Sequence, residues 1–395
     1  MKEFIKSILK KLTHIMVFCF LTFVKKKKKF ILILVDSSRI GHLLYGTDLF
    51  FRTLSLDTKK FEDHEIIGFS QKPYCNDYFM SILKKKIKIY SFSVAIYKFI
   101  FQSVKDAKFL YNIPNDNYAN FELRKKTNIV FKFSNEDKGK GKRLLNKMGI
   151  GDKDWFVCFH ARSPEYLKTN SKKLYGSDLD FSYHNFRDQS IYDFKKAIDF
   201  ITSKGGYAIR MGRDESDRIN FNNNKVIDYA IDYWSDFGDI YLSAHCKFFL
   251  GSNAGLTVAP FIFNVPTIMT NYIPLCGLIP NEDTVKAVPC KIWSKKKNNF
   301  LSYKEIFSNK IWCFNTSKEY ENAGIKVISS SEEEILNVTK EIYYELKNEY
   351  KHHKDDQELK QKFQNLIPND HPCYKKPLSK IISMEFLRKN HTLLN

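Results

Sequence analysis

From about Asp152 onward, short apolar runs and helical patterns take turns along the chain, and this alternation limits the possible folds more than any other feature. One run is 155–161, Trp155 to Ala161; others lie at 207–211, 226–229, 247–251, 267–269 and 325–328. Between them Ile191, Phe194, Ala197, Ile198 and Ile201 repeat at helical spacing, Ser190 and Asp193 form a capping pair, and Gly205-Gly206 stops the pattern. Helices are also expected at 239–246 and 256–263, and after Ser331 and Glu334, where Ile335, Val338, Ile342 and Leu346 share a face. Strands alternating with helices predict a parallel sheet in Rossmann-like winding. Ligands of such sheets meet the carboxyl ends of the strands.

Those ends carry the candidate site residues. Phe248 to Leu256 reads as a strand, a small-residue turn at Gly251-Ser252-Asn253-Ala254-Gly255, and a helix start. Backbone N–H groups and the positive end of a helix dipole would there face an anion such as a phosphate. The turn has neither the GxGxxG nor the Walker lysine pattern, so neither a dinucleotide fold nor a P-loop is signalled. His160 and Arg162 lie two apart at another strand end, and a guanidinium fork matches phosphate oxygens. Arg210, Gly212 and Asp214 follow a third strand and are candidates to meet a base or ribose. Arg187-Asp188 is expected to supply a structural ion pair that ties down the long polar loop 163–190.

The preceding part reads as a second α/β domain. Its first strand, 30–35, ends in Asp36-Ser37-Ser38-Arg39-Ile40-Gly41-His42, and a helical pattern follows from Leu44 to Leu54. Strands are expected at 65–69 and 87–90, and polar turn-rich segments at 112–120 and 134–141, the latter a linker candidate. Arg39, Gly41 and His42 would face an acceptor, with His42 a candidate general base; a histidine that only caps its own helix is the other reading. No pair of carboxylates has spacing that marks a catalytic acid and base. The division expected is 1–29, a basic and apolar N-terminal segment; 30–150, an acceptor domain; 151–350, a donor domain; and 351–395, a charged, proline-interrupted tail with disordered stretches.

The net charge of +20 invites a nucleic-acid reading. Its distribution argues against one. Residues 1–30 hold nine lysines and a single glutamate, and elsewhere lysines and acids are mixed without an arginine-rich helix. The apolar stretch Ile15–Val24 is too short to span a bilayer as a helix and has no cleavage site after it. It is read as an interfacial helix with a polybasic flank, resting on an anionic membrane surface; a helix packed on the fold is the alternative. The eight cysteines form no CxxC pair and no metal-ligand spacing, so they are read as reduced thiols of a cytoplasmic protein, with no metal site.

Several segments together resemble a bacterial family of GT-B-like glycosyltransferases from surface-polysaccharide gene clusters. They are "RIGHL" at 39–43, "FHARSPEY" at 159–166, "FRDQSIYDFKKAIDFITSKGGYAIRMG" at 186–212, "VIDYA" at 226–230, "CKFFLGSNAGLTVAPFIFNVPTIMTN" at 246–271 and "GIKVISSSEEEI" at 324–335. The His-x-Arg at 160–162 is also similar to the fucosyltransferases, in which the motif's arginine holds the diphosphate of GDP-fucose. The resemblance implies that role for Arg162, although Ser163 follows it where those enzymes commonly have a second arginine. It further implies an α/β fold of two Rossmann-like domains facing a cleft. The implied activity is a metal-independent glycosyl transfer that uses no cofactor beyond its nucleotide-sugar co-substrate. The acceptor would be a glycan or lipid-linked sugar in capsule or lipopolysaccharide synthesis, at the inner face of the cell membrane. A nucleotide- or glycan-binding protein of the same fold without turnover is the alternative.

Overall fold

The computed structural model describes residues 11–20, 22–23, 29–111, 121–213, 215, 217–276, 284–372, 374 and 378–395. The chain divides into two units. The first comprises Met1–Asn115, Lys125–Phe131 and Asn170–Leu179; the second comprises Asp116–Arg124, Lys132–Thr169 and Asp180–Asn395.

In the first unit Phe30–Val35 (β1) is apolar on both sides, with Leu32, Ile33 and Val35 at most 1% exposed. That is the pattern of a strand covered on two faces. It pairs in parallel with Glu65–Lys72 (β2), which pairs with Lys88–Ser93 (β3); Leu110–Tyr111 (β4) lies on its other side, giving the order β3-β2-β1-β4. Helix Val94–Val104 closes one face, packing Ile100 and Val104 against Phe30, Leu32 and Phe109. Residues 11–20 and 22–23 are helical. His14 stacks on Phe99 with ring centroids 4.2 Å apart and hydrogen-bonds Ser103, while Phe18 meets Phe109. Among the described residues no helix is long and apolar enough to cross a membrane.

The second unit contains Phe156–His160 (β5), Tyr207–Arg210 (β6), Val226–Ile227 (β7), Phe249–Ser252 (β8), Thr267–Tyr272 (β9) and Val285–Pro289 (β10). Their order is β10-β9-β8-β5-β6-β7, parallel throughout. From β5 the chain winds outward through β6 and β7, then returns to the other side of β5 with β8. This reversal is the doubly wound arrangement, and it leaves a crevice at the carboxyl ends of β5 and β8. In the first unit the same reversal falls between β1 and β4. A small antiparallel sheet, Lys291–Ser294 (β11), Asn299–Phe300 (β12) and Ile325–Ile328 (β13), completes the second unit. The fold class is α/β with two Rossmann-like units.

Several expectations change. The segment 134–141, expected to be turn-rich, is helical; it opens the helix Asn135–Lys147 through a capping box between Ser134 and Asp137. The loop expected at 163–190 contains the helix Glu165–Tyr175 and a 3-10 segment, Ser182–Arg187. At Ser190 the cap bond goes to the N–H of Tyr192, two residues on, because a 3-10 turn precedes the α-helix. The capping box of Ser331 and Glu334 forms as expected. The described part of the tail is helical at Asp356–Asn365, Leu378–Ile381 and Met384–Lys389, not disordered. Phe363 and Ile381 are fully buried, Arg388 grips Asp356 with two nitrogens, and buried Glu341 accepts from the Met384 N–H. The turn-rich segment 112–120 lies outside the described residues.

A buried carboxyl sets a pH dependence. Asp239, on the first turn of helix Asp236–His245, accepts from Trp234 Nε1 and the Tyr229 hydroxyl, each at 3.2 Å. Burial outweighs both bonds and lifts its pKa from 3.8 to about 8. The folded state thus keeps a proton that the unfolded state gives up. Stability from this group is full below about pH 4 and is lost as pH rises through 8. Asp239→Asn should remove this term, at most roughly 6 kcal/mol at ~1.4 kcal/mol per pH unit between about 4 and 8. The melting temperature of wild type should fall more steeply between pH 5 and pH 8 than that of the variant; parallel pH curves would refute the assignment.

Candidate functional site

Where β1 ends, the backbone leaves the sheet and enters helix Ile40–Leu56 within a few residues. Ser37 holds this turn in place: its hydroxyl donates to the Gln71 carbonyl at 2.8 Å, and its carbonyl accepts from Cys75 N–H. The turn brings Asp36 and His42 together. His42 Nδ1 lies 2.9 Å from Asp36 Oδ2, and Ser38 donates both its N–H and its hydroxyl to Asp36 Oδ1. Burial alone would raise the Asp36 carboxyl. The hydrogen bond and charge of His42, with the two bonds from Ser38, outweigh it and hold the carboxyl below its ordinary range. An ionised Asp36 accepts from His42 Nδ1–H, which fixes the tautomer with a lone pair on Nε2. The His42 side chain is 49% exposed, so Nε2 is open to a reactant. Gly41 is buried in the first helical turn. Arg39, the helix N-cap residue, turns its Nε to the Tyr175 hydroxyl at 2.6 Å, within the first unit. Asp36 is the site residue that sequence reasoning missed.

At the switch point of the second unit, the register sets His160 opposite Gly251. A Cβ at Gly251 would come within 2.7 Å of Thr257 Oγ1 and 2.8 Å of the Phe249 ring, so the close turn requires glycine. The Arg162 N–H donates to Ser252 Oγ at 2.6 Å, tying the end of β5 to the end of β8. The guanidinium is nearly buried and paired with Asp188. Asp188 is therefore the partner that pins the loop, through Arg162. Gln189 extends the clasp: its N–H donates to the Arg162 carbonyl, its side-chain oxygen accepts from Thr270, and its amide donates to the Ser330 carbonyl. Asn271 exchanges bonds with Ser330 at 2.7 and 3.1 Å. Neither Gln189 nor Asn271 has a sequence signal of its own, because each depends on elements about 60 to 140 residues away.

His160 directs Nδ1 to the Met211 carbonyl at 3.1 Å. Burial drives its pKa down to about 4, with Arg210 and Arg162 adding to the effect, so it is neutral near pH 7. Nδ1 then carries the proton and Nε2 is an acceptor. Gly212 follows at φ +153°, a backbone geometry open to glycine, with the Glu215 side chain against its Cα.

Three expectations need correction here. Arg210, read as a donor contact, is 4% exposed and spent inside the fold on Asp228 at 3.1 Å, Glu215 at 3.0 Å and the Asp217 carbonyl. The helix after the small-residue turn is only Val258–Ile262, capped at Thr257 without a side-chain bond, so it is too short and too far along to aim a useful dipole at 251–255. Ser252 and Asn253 are engaged by the protein, Ser252 by Arg162 and Asn253 through its amide on the Ile273 carbonyl at 2.6 Å. What remains for a ligand is the open side of the bend, where Gly255 is exposed and Asn253 and Ala254 are partly so. Asp214 lies outside the described residues.

No protein-family model matches the chain, and no curated protein does. Among solved structures it is similar to the ADP-heptose LPS heptosyltransferase II of E. coli, with TM-score 0.39 and 10% identity over 61% of this chain and 84% of that one. A glycosyl transferase family 9 structure from Veillonella parvula gives 0.37 and 10% over 61% and 80%. E. coli heptosyltransferase WaaC with ADP-2-deoxy-2-fluoro heptose gives 0.32 and 9% over 60% and 88%. A likeness this loose carries no argument about substrate or residue roles.

Proposed function

We propose that the chain is a glycosyltransferase that moves a sugar from a nucleotide-sugar donor to a hydroxyl of a glycan or lipid-linked acceptor in surface-polysaccharide synthesis. The observation that carries this reading is the placement of chemistry at both topological switch points: the Asp36–His42 pair after β1, and the Arg162, His160 and 251–255 group after β5 and β8. In the reaction, the acceptor oxygen bonds to the anomeric carbon, the bond from that carbon to the diphosphate breaks, and the acceptor proton passes to His42 Nε2. The nucleoside diphosphate leaves with the bonding electrons. Arg162 and the bend N–H groups offset its charge, the task a divalent metal performs in other transferases. His160 Nε2 accepts from a donor hydroxyl.

The test is thermal-shift binding of GDP, UDP, ADP, CMP and TDP. One nucleotide should raise the melting temperature, by about 2.7 kcal/mol of added stability at one hundred times its Kd. The matching nucleotide-sugar should then be hydrolysed slowly without acceptor, and chelating agents should leave that rate unchanged. Binding without turnover over a broad acceptor panel would favour a nucleotide-binding protein, and no stabilisation by any nucleotide would remove the donor site.

A further inference from the structure

The N-terminal helix has two unlike sides. His14 and Phe18, four residues apart, turn inward onto Phe99, Ser103 and Phe109, and Val17 between them is partly buried. The opposite side carries Leu12, Met16 and Phe20 at four-residue spacing, with Ile15 beside them. These are large apolar side chains at 52%, 69%, 65% and 58% exposure. A helix seated on the fold by one face would ordinarily turn polar groups to water on the other. Here the outer face is apolar, and the lysines stand at the two ends in sequence: Lys2, Lys6, Lys10 and Lys11 before it, Lys25 to Lys29 after it.

We propose that this helix docks the first unit on an anionic lipid surface, with Leu12, Ile15, Met16 and Phe20 entering the interface and the flanking lysines meeting lipid phosphates. The stretch is too short to cross a bilayer, and the inward contacts of His14 and Phe18 leave it attached to its unit. A bilayer surface offers both chemistries at once, an apolar boundary beneath a layer of negative charge. A second copy of the chain would set two lysine clusters against each other, and a nucleic acid would leave the apolar stripe uncovered. The inference does not depend on the transferase reading; a lipid-linked acceptor would make the two agree.

The experiment is co-sedimentation of the full chain with extruded vesicles, either pure phosphatidylcholine or a mixture containing about one third phosphatidylglycerol. Wild type should pellet with the mixed vesicles and stay in solution with the neutral ones, and added salt should weaken the binding. Lys25→Glu/Lys27→Glu should lower the partition coefficient by at least about tenfold. Met16→Glu/Phe20→Glu should lower it comparably at any salt concentration. Melting curves like that of wild type will confirm that both variants fold. Equal pelleting of wild type and both variants, or none with either vesicle, overturns the proposal. So does a concentration-dependent doubling of mass that Met16→Glu/Phe20→Glu abolishes, since the apolar face would then bind a second copy.

Discussion

His42→Ala is expected to lower kcat by roughly 10^2- to 10^4-fold, the range for loss of a positioned general base. The KM for the nucleotide-sugar should hardly move, because His42 belongs to the first unit and the donor group to the second. Asp36→Asn should reduce kcat by a smaller factor, again with little effect on KM, by losing the charge that fixes the imidazole tautomer. A merely structural Asp36 would instead change the melting temperature and leave kcat alone. Unchanged turnover in His42→Ala would sink the general-base assignment, and the histidine would then serve only to tie Asp36 to its helix.

The second large effect is on Arg162. Its side chain and that of Asp188 are 9% and 24% exposed, so the pair is mostly out of water. Arg162→Ala leaves the Asp188 carboxylate without its countercharge and should cost roughly 2–4 kcal/mol, at or below the range for a fully buried pair. A loss of nucleotide binding in this variant alone would be ambiguous. Arg162→Ala/Asp188→Asn separates the causes: it should recover most of the stability but none of the nucleotide-induced shift. If the double variant binds nucleotide as wild type does, Arg162 is a clasp for the loop and has no contact with the donor.

The strands that carry the site were legible because their signal is local. Phe30–Val35 and Ile325–Ile328 are bounded where the apolar runs stop, and β5, β6 and β8 fall within a residue or two of the expected spans. Their carboxyl ends, and therefore the neighbourhood of His160, Arg162 and Gly251, follow from the winding alone. What each side chain does there was less visible. Arg162 and Arg210 look alike in sequence, each an arginine just at or past a strand end. Only the fold shows Arg210 enclosed by Asp228 and Glu215. The pairing of Asp36 with His42 was missed because residues six apart meet neither in a strand nor in a helix; they meet only where one becomes the other. β10, β11 and β12 were missed because Lys286, Lys291 and the lysine-rich 295–297 turn break the apolar pattern. Lys286 is neutralised by Glu341 and Glu345 from a helix some 50 residues on, and Lys291 by Glu334.

The ten residues Asn170–Leu179 belong to the first unit although the chain has by then built β5 of the second. Leu174 is 2% exposed, its carbonyl accepts from Gln71 Nε2 at 2.7 Å, and Tyr175 receives Arg39. A nascent chain emerging in order from the ribosome has therefore made all four strands of its first sheet long before it can finish the unit around them. The turn that bears His42 waits for a segment synthesised more than a hundred residues later. Birth order and architecture are out of step, and cutting the gene at the end of the first sheet would separate an arginine from the tyrosine that seats it.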